Sequence, residues 1–249
     1  MDCVLPLQRP AYEQSSDQEV AFQAVDYILR VLKKNMVFGM TWGRAMHEFV
    51  EQLAKDERLR SLSFQNVKVV PFLGTPGAIQ SDSWNTTTYS NTLATKVGNL
   101  LHCASYNLSA PMYVEGTKEK ELIESIDEIA KVLHMAETAD IALIGIGSMQ
   151  DDSSIIKAEI RTKEEYKELV RKGAVGEIVG RIYDKNGQTV DEDLKRKMVG
   201  ISLDKIAKIP VRVGMSYGKD KIEAIKGAIA GGLVNVLVTD VPTAELLLK

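Results

Sequence analysis

Asp140-Ile-Ala-Leu-Ile-Gly-Ile-Gly147 is the stretch whose reading decides the fold. An unbroken apolar run closed by glycines is a strand buried on both faces, because a half-exposed strand would alternate apolar with polar residues. The same unit recurs on either side of it. Residues 19–33 place Ala21, Val25, Ile28 and Leu32 on one helical face. Met36–Met40 leads through Thr41-Trp42-Gly43 into a helical pattern over Arg44–Leu53. Val67–Phe72 is β-branched and apolar, and a loop rich in Gly, Pro, Ser, Asp and Asn carries it to a helix over about Tyr89–Leu101. A strand is expected at Ala110–Val114, and Leu122, Ile126, Ile129 and Leu133 mark the next helix. Val211–Met215 precedes a helix over Lys219–Ala230, and Val234–Val238 runs into Thr239-Asp240 and a last helix. Buried strands alternating with amphipathic helices predict an α/β fold whose parallel sheet is covered on both faces.

The 249 residues carry 45% hydrophobic and 26% charged side chains, enough for a full core without metal or disulfide staples. No internal repeat and no second linker interrupts them. The expected organisation is therefore one domain over 1–249, with residues 1–18 as a lead-in. Residues 173–190 break the alternation: Asn186-Gly187 stands between two short β-like runs, and Asn-Gly favours a type I′ turn. This segment reads as an inserted hairpin.

Charge and composition exclude several classes. The net charge is −3, and no long basic run offers a nucleic-acid face. Lys157–Lys172 holds six basic and four acidic residues interleaved at helical spacing, which is a solvated helix face. Cys3 and Cys103 form no CxxC pair, which argues for a reducing compartment and against zinc, although they could still form one bridge. Residues 1–10, MDCVLPLQRP, lack the basic n-region and apolar h-region of a signal peptide, and the longest apolar stretch, Gly227–Val238, is too short to span a bilayer. A cytoplasmic protein with no membrane contact is expected.

Ligands of open parallel sheets bind where loops and helix starts converge at the carboxyl ends of the strands. Four loops qualify: Thr41-Trp-Gly-Arg44, Gly74-Thr-Pro-Gly-Ala78, Gly145-Ile-Gly-Ser148 and Gly214–Lys221. Their glycines let backbone N–H groups approach an anion, although glycine also simply makes tight turns. Lys219 and Lys221 open a helix, where a cation opposes the dipole unless an anion sits there. None of the loops is a Walker A or a GxGxxG motif. His47, His102 and His134 lie within or at the ends of helices, and no nucleophile motif, paired-carboxylate loop or metal-ligand spacing occurs. No catalytic residue, cofactor or metal is therefore assigned. Asp240 is either a helix N-cap with a proline just inside or a ligand contact. Trp42, Trp84 and Tyr89 could cover a sugar face or pack on the sheet. Glu177, between glycines, could accept bonds from sugar hydroxyls or be an exposed strand residue.

Read in order, Thr41-Trp-Gly, Gly145-Ile-Gly147, Gly173-Ala-Val-Gly-Glu-Ile-Val-Gly-Arg-Ile-Tyr-Asp-Lys-Asn-Gly187, Gly218-Lys-Asp-Lys-Ile-Glu-Ala-Ile225 and Asn235-Val-Leu-Val-Thr-Asp-Val-Pro-Thr-Ala244 resemble the effector-binding domain of SorC/DeoR-type bacterial transcriptional regulators. That group includes the central glycolytic gene regulator and the deoxyribonucleoside regulator. The stretches 173–187 and 218–244 are the specific ones. The resemblance implies a Rossmann-like three-layer sandwich with a mostly parallel sheet, related to sugar-phosphate isomerases and deaminases but used for sensing. It implies a phosphorylated sugar or polyol as effector, contacted by position at Gly43, Arg44, Tyr89, Asn91, Glu177 and Lys221, and the strand-end loops add Thr41, Gly74, Gly145, Gly147 and Asp240 as candidate contacts. Within that set Gly43 and Arg44 would lie on the first phosphate turn, Glu177 would face hydroxyls, and Lys221 would hold a phosphate.

Leu73 stands where relatives place an arginine or lysine, which argues against a bisphosphate ligand and a covalent lysine adduct. The family carries an N-terminal helix-turn-helix module, expected to be absent from this chain. DNA would be met only through that module, by a homodimer or homotetramer. Two other readings remain open at this point: an active sugar-phosphate isomerase or deaminase on the same fold, and a plain oligomerisation domain.

Overall fold

In the computed structural model, residues 2–4, 16–76, 86–151 and 153–249 are described. Among them, seven parallel strands form one sheet. They are β1 (Asp2–Val4), β2 (Val37–Met40), β3 (Lys68–Pro71), β4 (Ala104–Ser105), β5 (Ile141–Gly145), β9 (Val211–Met215) and β10 (Val236–Val238). Their spatial order is β1-β10-β9-β5-β2-β3-β4. β6 (Gly147–Ser148), β7 (Ala174–Ile178) and β8 (Arg181–Asp184) make a small antiparallel sheet in the order β6-β7-β8.

The helices divide between the two faces of the large sheet. α1 (Ser16–Val31), α2 (Arg44–Leu53) and α3 (Ser90–Leu100) share a core with Phe38 and Met40 of β2, Ile141 and Leu143 of β5, and Val236 and Val238 of β10. Ala142, Ile144 and Leu237, the alternate residues of those strands, face the opposite core. That core takes side chains from α5 (Asp127–Glu137), α6 (Ser154–Lys157), α7 (Lys163–Arg171), α8 (Glu192–Lys197), α9 (Leu203–Ile206) and α10 (Ile222–Ala230). α4 (Thr117–Glu124) precedes α5, and α11 (Val241–Leu247) follows β10. Strand residues alternate between faces with period 2, so a strand with helices on both sides must be apolar throughout. α2 shows the matching helical rule: Met46, Phe49, Val50 and Leu53 are buried at spacings of three and four. Gly39 in central β2 is required by packing, because a Cβ there would lie 2.0 Å from the Phe72 ring.

Four expectations change. The strand expected at Ala110–Val114 does not join the sheet; β4 at Ala104–Ser105 occupies that edge instead. Residues 110–114 make only isolated bridges, Thr75 with Pro111 and Tyr113 with Met198, and Pro111 has no N–H to continue a ladder. The helix marked by Leu122 to Leu133 is two helices, broken at Ser125-Ile126 where Ile126 takes extended backbone angles. Asp2–Val4, inside the expected lead-in, pairs with β10 as a parallel edge strand. Finally, the turn joining β7 to β8 is Val179-Gly180, with φ of 54° and 67°. Asn186-Gly187 forms a second turn just beyond, closed by the Gly187 N–H donating to Asp184 O at 2.9 Å.

Candidate functional site

The chain runs from β2 outward to β3 and β4, then returns to β5 and proceeds the other way to β9 and β10. The order therefore reverses between β2 and β5. A crevice opens at such a point because the two connecting loops leave in opposite directions. The structure has a cavity of about 400 Å³ there. Its walls are the loops after β2, β5 and β9, the start of α6, the β6–β7 pair, and Asp17 of α1.

Each wall follows from local chemistry. Gly43 has φ of 105°, a left-handed value that lets the chain turn sharply from β2 into α2. The Gly43 N-cap of α2 makes no side-chain cap hydrogen bond, and a helix N-terminus presents backbone N–H groups suited to an anion. Gly218, with φ of 106°, does the same between β9 and the 3-10 turn Lys219–Lys221 that leads into α10. Lys221 lines the cavity, and its Nζ donates to Ser148 Oγ at 2.8 Å. Ser148 Oγ in turn donates to Asp220 Oδ2 at 3.2 Å. The ammonium is thus held by a side-chain network and still borders the cavity.

Glu177 forms the opposite chemical element. It is only 7% exposed, yet it lines the cavity. The Gly180 N–H donates to its Oε1 at 2.5 Å, and the Trp42 side chain bonds it as well. The strained turn at Val179, a β-branched residue at positive φ, delivers that Gly180 N–H. Gly147 lies so close to Glu177 Oε2 that a Cβ would stand 2.9 Å from it. Burial pushes the carboxyl above its ordinary value, against the pull of the two hydrogen bonds and the Lys221 and Arg181 charges. The cavity therefore offers a cation and backbone donors for an anionic group, and carboxylate and serine oxygens for hydroxyls.

Of the residues expected at the site, Gly43, Arg44, Gly145, Gly147, Glu177 and Lys221 do line the cavity together. The others lie elsewhere among the described residues. Thr41 is fully buried, and its Oγ1 accepts the Gly145 N–H at 2.9 Å, stitching β2 to β5. A Cβ on Gly74 would meet the carbonyl oxygens of Ala110 and Pro111 at 2.6 Å, so it is a close-packing glycine. Asn91 spends its amide inside the protein, donating to Thr75 Oγ1 and Leu108 O and accepting from the Leu108 N–H. Tyr89 precedes α3 as its N-cap. Asp240 caps α11, its Oδ1 accepting the Thr243 N–H at 2.9 Å. Trp84 and the Gly77-Ala78 part of the second loop, Gly74–Ala78, fall outside the described residues.

Sequence reasoning missed Asp17, Ser153, Ser154 and Tyr217, all of which line the cavity. Asp17 had no readable signal, since an acidic residue in a first helical turn is already explained by the helix dipole. Tyr217 lay inside a loop that was singled out for its glycines and lysines.

A family model described as "Putative sugar-binding domain" matches residues 4–249. The sorbitol operon regulator of Klebsiella pneumoniae is 30% identical over 222 residues, covering 88% of this chain and 67% of that protein. The transcriptional regulator LsrR of Escherichia coli O9:H4 (strain HS) is 30% identical over 230 residues, covering 91% of this chain and 67% of the relative. Among solved structures, full-length sorbitol operon regulator SorC from Klebsiella pneumoniae superposes with a TM-score of 0.83 at 27% identity, covering 95% of this chain and 75% of that one.

Proposed function

The chain belongs to the sugar-binding domain family of SorC- and LsrR-type transcriptional regulators, and from that premise we propose that its cavity binds a phosphorylated sugar or polyol. Occupancy then sets how an attached DNA-binding module grips its operator. The observation that carries this reading is the convergence, at the reversal point of the sheet, of Lys221, two helix starts without side-chain caps, and the buried Glu177. A phosphate suits the first three, since backbone N–H groups and an ammonium both donate to its oxygens. Sugar hydroxyls suit Glu177 and the serines.

The ligand carries one phosphate in this reading. Leu73, the position where the resemblance expects a second basic contact, is fully buried in the core. The curated relatives are regulators rather than enzymes, and none of the three histidines lines the cavity. The site proposed here senses its ligand without transforming it. No helix among the described residues is long and apolar enough to cross a membrane. This reading places the protein in the cytoplasm, where operators are.

A thermal-shift series tests the proposal, starting with hexitol and hexose 6-phosphates beside their unphosphorylated parents. Binding to the native state stabilises it by about 2.7 kcal/mol at a hundredfold excess over Kd. A rise in Tm with phosphorylated members alone supports the proposal. Equal shifts with the unphosphorylated parents, or none with either, defeat it.

A further inference from the structure

Among the described residues, the charged side chains that wall the cavity are three carboxylates, Asp17, Glu177 and Asp220, and two cations, Arg44 and Lys221. A phosphate monoester brings a further charge of about −1.5 to −2 near neutral pH. Lys221 is already in use, since its Nζ stands 3.6 Å from Asp220 Oδ2 and donates to Ser148 Oγ. A phosphate that takes the Lys221 ammonium therefore loosens the hold on Asp220. A ligand whose only charge is its phosphate thus meets a wall that is acidic on balance.

Glu177 is the most buried of the three carboxylates, and its Oε2 lies against Gly147 of the cavity wall. The Gly180 N–H on its Oε1 is a neutral donor. The cations whose charges act on it, Lys221 and Arg181, bond elsewhere: Arg181 Nη2 donates to Met198 O at 3.1 Å and to Gly200 O at 3.2 Å. A buried carboxylate gains most from a partner that both donates hydrogen bonds and carries the opposite charge. Resting on the cavity as the effector site, we propose that the effector is an amino-sugar phosphate, its ammonium received by Glu177 and its phosphate by Lys221 and the start of α2. Ser148, Ser153 and Ser154 remain for its neutral hydroxyls. Burial raises the proton affinity of Glu177, and an ammonium against it restores the ionised form.

Titration calorimetry tests this with the 6-phosphates of glucose, galactose and mannose, each beside its 2-amino and 2-acetamido counterparts. At least one 2-amino member is expected to bind wild type about tenfold tighter than its hydroxyl parent, the scale of a hydrogen bond between charged groups. Its 2-acetamido counterpart, which has no ammonium, is expected to lose that gain. Glu177→Gln, whose amide oxygen can still accept the Gly180 N–H, is expected to bring amino and hydroxyl members within about twofold of each other. If hydroxyl members bind wild type and no amino member binds tighter, or if the acetamido group gives the same gain, the amino-sugar assignment falls and the effector reading stands. A preference that persists in folded Glu177→Gln also overturns the assignment. Should that variant not fold, the wild-type series decides alone. If none of the phosphorylated sugars binds, the effector reading fails and the assignment falls with it.

Discussion

Glu177 is a carboxylate that the fold holds mostly out of water while two donors partly compensate it. Its folded-state proton affinity exceeds the unfolded one, because burial raises its pKa above the ordinary glutamate value. Between those two values the folded protein binds more protons than the unfolded chain, so stability falls as pH rises through that window. Wild type is therefore expected to gain stability relative to Glu177→Gln as pH drops from neutral. The gap should level off below the ordinary glutamate pKa of about 4. Urea melts of both proteins across that range check this, and a pH-independent gap would contradict it. Lys221 supplies the companion expectation. Its side chain is only partly exposed but sits at the cavity rim, bonded to Ser148. Lys221→Ala should weaken a phosphorylated ligand by roughly tenfold or more, the scale of a hydrogen bond to a charged group, with little change in the Tm of free protein. Titration calorimetry would show it, and unchanged affinity would put the phosphate elsewhere. Both residues were legible in the sequence, one between glycines and the other at a helix start. Thr41, Gly74 and Asn91 looked equally suitable there, yet their polar atoms or close contacts are used inside the protein. Sequence spacing brings such residues to the strand ends but does not say which way they face.

At the scale of elements, α11 separates capping from binding. Asp240 holds the Thr243 N–H, and Pro242 lies just inside the helix. Asp240 does not line the cavity. Asp240→Ala is thus expected to cost about 1 kcal/mol of stability, the usual size of a lost N-cap, while the ligand-induced rise in Tm stays as in wild type. A lost ligand response with unchanged stability would restore Asp240 to the site. Strand and helix existence was readable because period 2 and period 3.6 patterns are local properties of the chain. The hairpin shows the limit. Asn186-Gly187 carries the stronger turn signal, yet β7 and β8 meet at Val179-Gly180. There the Val179 side chain is buried in the core and the Gly180 N–H is fixed on Glu177, so tertiary contacts hold a conformation that valine disfavours.

For the whole molecule, the large sheet ends on one side with β1, three residues that pair in parallel with β10. Removing residues 1–4 would leave Val236–Val238 with an open hydrogen-bonding edge, and open edges invite pairing with other chains. A lower Tm and concentration-dependent association are expected, by melting and by light scattering. An unchanged Tm with no added association would show that β1 contributes nothing to the sheet. The sequence by itself determined the parallel sheet with helices on both faces, the positions of most strands, and the glycine loops that follow several of them. These follow from hydrophobic period and from glycine placement, which neighbouring residues carry among themselves. Only the tertiary structure decided that the order reverses between β2 and β5, that Asp17 and Tyr217 share the wall with Lys221, and that the side chains of Asn91 and Asp240 are hydrogen-bonded within the protein. Those facts depend on which strands pair and which side chains face inward, and contacts between residues far apart in the chain leave no period to read.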